Sequence, residues 1–225
     1  MEYDEILKRL ETLSNPKNVE GMKRFGIKGK EIYGVSIPNL RKMAKETGKN
    51  HELALQLWDS EIHEARLLAG FIDNFKKVSE RQMEEWVKDF DSWDICDQIC
   101  SNLFDKTEFA WNKIVEWSKR KEEFEKRAGF VLMAALSVHD KNTSDKEFEK
   151  FFPIIIRESN DERNFVRKAV NWAMRQIGKR NRKLNKRAID VAKEISKMDS
   201  KAAKWIANDA LRELTSKSIQ KRLKK

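Results

Sequence analysis

A chain of 225 residues is long enough for one sizeable core or a short run of stacked repeats. Its 40% hydrophobic and 37% charged residues, with three prolines and eight glycines, exclude a disordered chain, and no run of ten uncharged apolar residues offers a membrane span. The net charge of +10 is unevenly placed: residues 1–150 carry 26 Lys/Arg against 29 Asp/Glu, a net of −3, and residues 151–225 carry 21 against 8, a net of +13.

Taken in chain order, the elements are almost all helical. The acidic start, Met1 to Glu5, enters an amphipathic pattern without the basic head and apolar run of a secretory signal, so a cytoplasmic protein is expected. Pro38 stands where a first helical turn accepts proline, and Gly48 where a helix ends. Asn50 then precedes a helix over 51–58 and Ser60 one over 61–72. At 100° per residue, the helix over 93–104 has an apolar stripe of Ile95, Cys96, Ile99, Cys100, Leu103 and Phe104, with Trp93 and Asp97 together at its edge. The two cysteines lie one turn apart, too close for an ordinary disulfide and too few for a structural zinc site, and read as reduced core residues. Asp94 reads as a carboxylate favoured at a helix start. Asp97 is open to two readings, a structural hydrogen bond or a partly desolvated functional carboxylate.

Thr107 precedes a helix over 108–117, and a helix over 121–136 becomes apolar all round after Lys126, which makes it a central element. Arg127 points into that apolar environment, where a guanidinium needs a carboxylate, a carbonyl array or a ligand phosphate. Arg66 occupies the equivalent place in an earlier segment. Ser144-Asp145-Lys146-Glu147 has the spacing of a capping box, and Asp161 opens a helix over 162–177 with a stripe of Phe165, Val166, Ala169, Val170, Ala173 and Ile177. Trp172 lies at the rim of that stripe beside Lys168 and Arg175, fit either for a helix seam or for a groove that meets sugar and phosphate together. Gly178 stands at the helix end. Lys179, Arg180, Arg182, Lys183, Lys186 and Arg187 then crowd one junction and suit phosphate contact. Ser200 opens the next helix. The total is eleven or twelve short helices without a separating linker, read as one domain over 1–225.

Lys168-Ala169-Val170-Asn171-Trp172 is echoed by Lys201-Ala202-Ala203-Lys204-Trp205, and Glu64-Ala65-Arg66 by Glu125-Lys126-Arg127. Such echoes suggest an all-α fold, an α-solenoid of HEAT-like helical repeats with a concave basic surface. His51, His63 and His139 have no ligand spacing, so no metal is expected.

The segments Trp93-Asp94-Ile95-Cys96-Asp97, Lys126-Arg127-Ala128 and Arg167 to Ala173, with Tyr33-Gly34-Val35, Pro38 to Lys42 and Ala210 to Leu214, resemble the DNA alkylation repair family of AlkC/AlkD type over most of the chain. Ser92, where AlkD-like members carry a second tryptophan, and Asn164, where an aromatic is expected, mark a divergent branch. The resemblance implies a HEAT-like-repeat DNA glycosylase that removes cationic N3- or N7-alkylated purines from duplex DNA without flipping the base. It assigns the catalytic carboxylate to Asp97, sugar-contacting indoles to Trp93 and Trp172, phosphate binding to Arg127 and a DNA-facing aromatic to Phe165. Lys168, Arg175, Lys179, Arg180, Arg182 and Lys183 complete the expected DNA-binding set. The expected enzyme is monomeric, without cofactor, membrane contact or strand cleavage. The alternatives are a non-catalytic, structure-selective DNA binder and a protein-binding helical scaffold.

Overall fold

The computed structural model describes residues 1–223. The contacts cluster into two compact units, Met1–Ala110 and Trp111–Lys225. Both are all-helical among the described residues. The one trace of β pairing is an isolated parallel bridge between Glu31 and Ile62.

The first unit holds α1 (Tyr3–Thr12), α2 (Pro16–Arg24), α3 (Ile37–Thr47), α4 (His51–Asp59), α5 (His63–Ile72), α6 (Glu80–Lys88), α7 (Trp93–Asn102) and a 3-10 turn (Phe104–Lys106). Helix α5 is its centre: every residue from His63 to Gly70 is buried, and α3, α4 and α7 all pack on it. Trp58 of α4 stacks on Trp86 of α6 with ring centroids 4.0 Å apart, next to Phe90. Glu64, fully buried, accepts the backbone N–H groups of Tyr33, Gly34 and Val35 at 3.0, 2.6 and 3.2 Å. That carboxylate shapes the loop between α2 and α3, where Gly34 has φ +77°. A side chain there would meet Asn15 and Val19, so the turn demands glycine.

The second unit holds α8 (Ala110–Trp117, whose first residue is the last of the first unit), α9 (Glu123–His139), α10 (Asp145–Glu149), α11 (Phe152–Glu158), α12 (Asn164–Gly178), α13 (Arg182–Ile195), α14 (Lys201–Leu214) and α15 (Lys217–Arg222). As expected for a central element, α9 is buried on all sides from Arg127 to Ser137 and makes its main contact with α12. Gly129 allows α8 to approach, because a Cβ there would stand 2.7 Å from the Ser118 backbone nitrogen. Helices α12 and α14 lie side by side, joined by Arg167 over the Trp205 ring, Asn171 to Asp209, and Arg175 to Glu213.

Asn50 and Ser200 cap α4 and α14 as expected, and Pro38 and Gly48 stand at the start and end of α3. Three other starts differ, and at Ser144 the helix starts as expected but without the capping bond. Glu61 takes φ +59°, so α5 begins at His63 and Ser60 instead closes the end of α4 through Leu57 O. Thr107 donates its hydroxyl to Phe104 O, closing the 3-10 turn, and α8 starts three residues later. Ser144 makes no capping bond; Asp140 takes the N–H groups of Asn142 and Thr143 at 2.9 Å each. Asp161 is held by Arg163 and Lys126, and α12 begins at Asn164. Gly178 does end α12, yet without a left-handed turn: it makes room for Leu214 and Ala188. The described residues hold fifteen α-helices rather than eleven or twelve, since short pieces such as α10 and α15 lack an apolar period. The echo of 168–172 in 201–205 is not a structural equivalence, because Lys168 is the fifth residue of α12 and Lys201 the first of α14.

Candidate nucleic-acid interface

The apolar stripe is buried as the period demands, Ile95, Cys96, Ile99 and Cys100 on α7 and Leu103 and Phe104 beyond it, since the helix expected over 93–104 ends at Asn102 and gives way to the 3-10 turn. Both cysteines are unbridged. Burial pushes the Cys100 thiol well up, with Cys96 and the charges of Asp97 and Asp105 adding to it. What remains at the helix edge is Trp93 and Asp97, one turn apart and both half-buried. Trp93 is fixed by its indole N–H, which donates to Phe25 O at 3.0 Å. The indole borders a cleft of about 590 Å³ between α2, α3 and α7, with Met22 and Val35 on the apolar side and Lys17, Arg24 and Gln98 among its polar groups. Helix α2, one wall of the cleft, has no fully buried residue.

The start of α7 is anchored by a pair that the sequence did not reveal. His63 Nε2 lies 2.8 Å from Asp94 Oδ2, with the imidazole fully buried. Burial alone would lower His63, but the hydrogen bond and charge of Asp94 outweigh it and raise the group above its usual 6.5. Thus Asp94 is more than a helix-start charge. Asp91, just before α7, is raised by burial, against the opposing effects of His63 and Arg66.

In the second unit, Arg127 is 6% exposed and donates to Phe165 O at 2.6 Å, so its guanidinium ties α9 to the first turn of α12. Phe165 is half-buried against Phe124, ring centroids 5.6 Å apart. The earlier arginine, Arg66, is satisfied differently: it donates to Trp58 O at 3.3 Å and lies over the Trp58 ring at 5.2 Å, with Asp89 at 4.0 Å. Lys168 is exposed on α12, and Trp172 is half-buried one turn further on. Arg175 and Lys179 grip the two oxygens of Glu213, Lys179 at 2.6 Å, which holds that carboxyl below its usual range against the opposing effect of its burial. Arg180 lies 3.9 Å over Phe148 and donates to Ser137 O and Asp140 O, and its burial lowers it. Arg182 and Lys183 are exposed, the former bonded to Leu223 O and the latter 3.0 Å from Glu149. The structure therefore puts Trp93 with Asp97 on α7, and Arg127 with Phe165, Lys168, Trp172 and Arg175 on the α9–α12 pair. Of the expected cations, Arg127, Arg175, Lys179 and Arg180 are engaged within the fold, Arg182 and Lys183 hold one partner each at the surface, and Lys168 is exposed.

Among the described residues no group of three or more His, Cys, Asp or Glu is placed to hold a metal, and no helix is long and apolar enough to cross a membrane. Residues 6–214 match the model of the DNA alkylation repair enzyme family. The chain belongs to that family. Two uncharacterized relatives, from Listeria innocua serovar 6a and Listeria monocytogenes serovar 1/2a, are each 24% identical over 200 residues, covering 87% of both chains. A solved structure from a family related to the HEAT-like repeat DNA glycosylases, with affinity for branched DNA structures, superposes with a TM-score of 0.79 at 19% identity over 95% of both chains. Family members of this kind share the HEAT-like helical-repeat fold, and this chain has it.

Proposed function

We propose that this member of the DNA alkylation repair enzyme family is a monofunctional alkylpurine DNA glycosylase acting on N3- or N7-alkylated purines in duplex DNA. The observation that carries the reading is the pairing of Trp93 and Asp97 on one half-buried edge of α7, with the indole locked by Phe25 O. An alkylated purine is already a cationic leaving group, so departure of the base needs no strong acid. What rises in the transition state is positive charge on the sugar. A carboxylate at about 4 Å in an effective dielectric of about 20 interacts with that charge by about 4 kcal/mol, a ceiling near a thousandfold in rate. Asp97 supplies it and orients the attacking water. The faces of Trp93 and Trp172 add about 0.5–2 kcal/mol each by cation–π attraction. Arg127 binds a phosphate, Phe165 packs on the DNA, and Lys168, Arg182 and Lys183 join Arg175, Lys179 and Arg180 in setting its position. The protein works as a monomeric single domain, in the cytoplasm, without a cofactor.

The test is release of 7-methylguanine and 3-methyladenine from methylated duplex DNA. Wild type is expected to exceed Asp97→Asn by about 10²–10³-fold; equal background release by both would refute the assignment. A second reading, a structure-selective DNA binder without excision, draws on the solved relative's affinity for branched DNA. Tight binding to junctions with no freed base would establish it.

A further inference from the structure

The first unit is part of the acidic stretch of the chain, yet it carries a hollow of about 320 Å³ bordered by Arg41, Lys45, Lys49 and Lys106, with Phe71 and Asn102. No carboxylate borders it. Elsewhere some part-buried cations are neutralised by acids, as Lys126 is by Glu158 at 2.6 Å and Lys179 by Glu213, whereas others, Arg127 and Arg180, rest on carbonyls. Here three of the four, all at the surface, are held in place by neutral groups. Arg41 lies 4.6 Å over the Phe71 ring and donates to Gln98 Oε1 and Asn102 Oδ1, both at 3.3 Å. Lys49 donates to Phe71 O at 2.9 Å and Asp73 O at 2.7 Å, and Lys106 to Asn102 O at 2.6 Å. The nearby Asp73 carboxylate is spent on His51 and Gln82, both at 2.7 Å. Lys45 is exposed and makes no ion pair among the described residues. Neutral acceptors orient these cations without discharging them. Burial, together with the positive charge of Lys106, lowers Lys49 despite Asp73, the sign of a cluster that still wants an anion.

We propose that this hollow seats a DNA backbone phosphate. A phosphodiester presents two anionic oxygens to a fork and several ammonium donors, which is what Arg41 and three lysines offer. Asn102 lies five residues beyond Asp97 on α7, about 7.5 Å along the axis at 1.5 Å per residue. Phosphates of one strand advance about 3.4 Å each along a duplex, so a strand running along α7 would put the phosphate held here about two nucleotides from the nucleotide that meets Asp97. This inference rests on the DNA-directed reading above but not on excision.

The experiment measures binding of duplex DNA by fluorescence anisotropy against salt for wild type, Lys45→Gln and Lys45→Gln/Lys106→Gln, with the exposed pair Lys76→Gln/Lys77→Gln as control. Lys45→Gln removes no hydrogen bond found among the described residues. One lost phosphate contact is expected to flatten the slope of log affinity against log salt by about 0.9, and to weaken binding about eightfold at about 0.1 M salt relative to its value extrapolated to about 1 M. The double variant should show this loss and the control should not. Unchanged slopes in both hollow variants, or an equal loss in the control, would overturn the proposal. So would binding of anionic lipid vesicles in place of DNA. Base release assayed on the same samples separates the two claims: flattened slopes without any release sustain the hollow and remove the glycosylase, and release with unchanged slopes does the reverse.

Discussion

Replacing Glu64 by alanine should destabilise the protein more than any other single removal of a carboxylate. The Glu64 carboxylate has no exposed surface and takes three backbone N–H groups, from Tyr33, Gly34 and Val35. Gly34 and Val35 are themselves buried, whereas Tyr33 can turn to water. Two stranded donors at about 1–3 kcal/mol each give a loss of about 4 kcal/mol. For a chain of this size each kcal/mol shifts Tm by about 2–4 °C, so the alanine variant should melt about 8–16 °C lower. Glu64→Gln keeps one accepting oxygen and should fall roughly midway. Thermal unfolding followed by circular dichroism at neutral pH reads both. An alanine variant within about 2 °C of wild type, or a glutamine variant worse than alanine, would refute the view that this carboxylate holds the loop beside the Trp93 cleft.

Gly129→Ala should also be costly, because its methyl would meet the Ser118 backbone and Ile114 O rather than a flexible side-chain tip. An overpacking cost of about 1–3 kcal/mol would outweigh the roughly 1 kcal/mol gained in helix propensity, and urea unfolding should show a lower midpoint than wild type. His63 has a raised pKa in the folded protein, so it binds its proton more tightly there than in the unfolded chain. Its stabilisation is complete below about pH 6.5 and disappears as pH rises through the folded value. Denaturation between about pH 6 and pH 9 should therefore show wild type losing stability more steeply than His63→Gln. Parallel curves would dismiss the His63–Asp94 pair as a contributor.

What could be read from the sequence was whatever a single helix determines. The buried surround of α9, the α7 stripe and the caps at Asn50 and Ser200 follow from period and local chemistry, and the family followed from the order of its motifs. The misplaced starts at Ser60, Thr107 and Asp161 share one cause: each side chain had a competing partner, a carbonyl or a cation, that local spacing does not show. Pairs between helices were invisible for the same reason. His63 and Asp94 are separated by 31 residues, and nothing in either segment announces the other. The cationic hollow was hidden by counting, since its four positive residues vanish into a stretch with a net charge of −3.

The ladder between α12 and α14 bears on how that charge count should be used. Its rungs, Arg167 with Trp205, Asn171 with Asp209 and Arg175 with Glu213, each span 38 residues. Two of the three put an acid of α14 against α12, and Lys179 shares the last one. The seam is thus largely self-compensated before any ligand arrives. A polyanion settling there feels chiefly outlying lysines such as Lys168 and Lys201, and must prise others, Lys204 from Asp199 among them, from carboxylates they already hold. Formal charge overstates the pull of this end of the molecule, and under the proposal above a smaller, less conspicuous group of cations held by dipoles is expected to attract more strongly per residue.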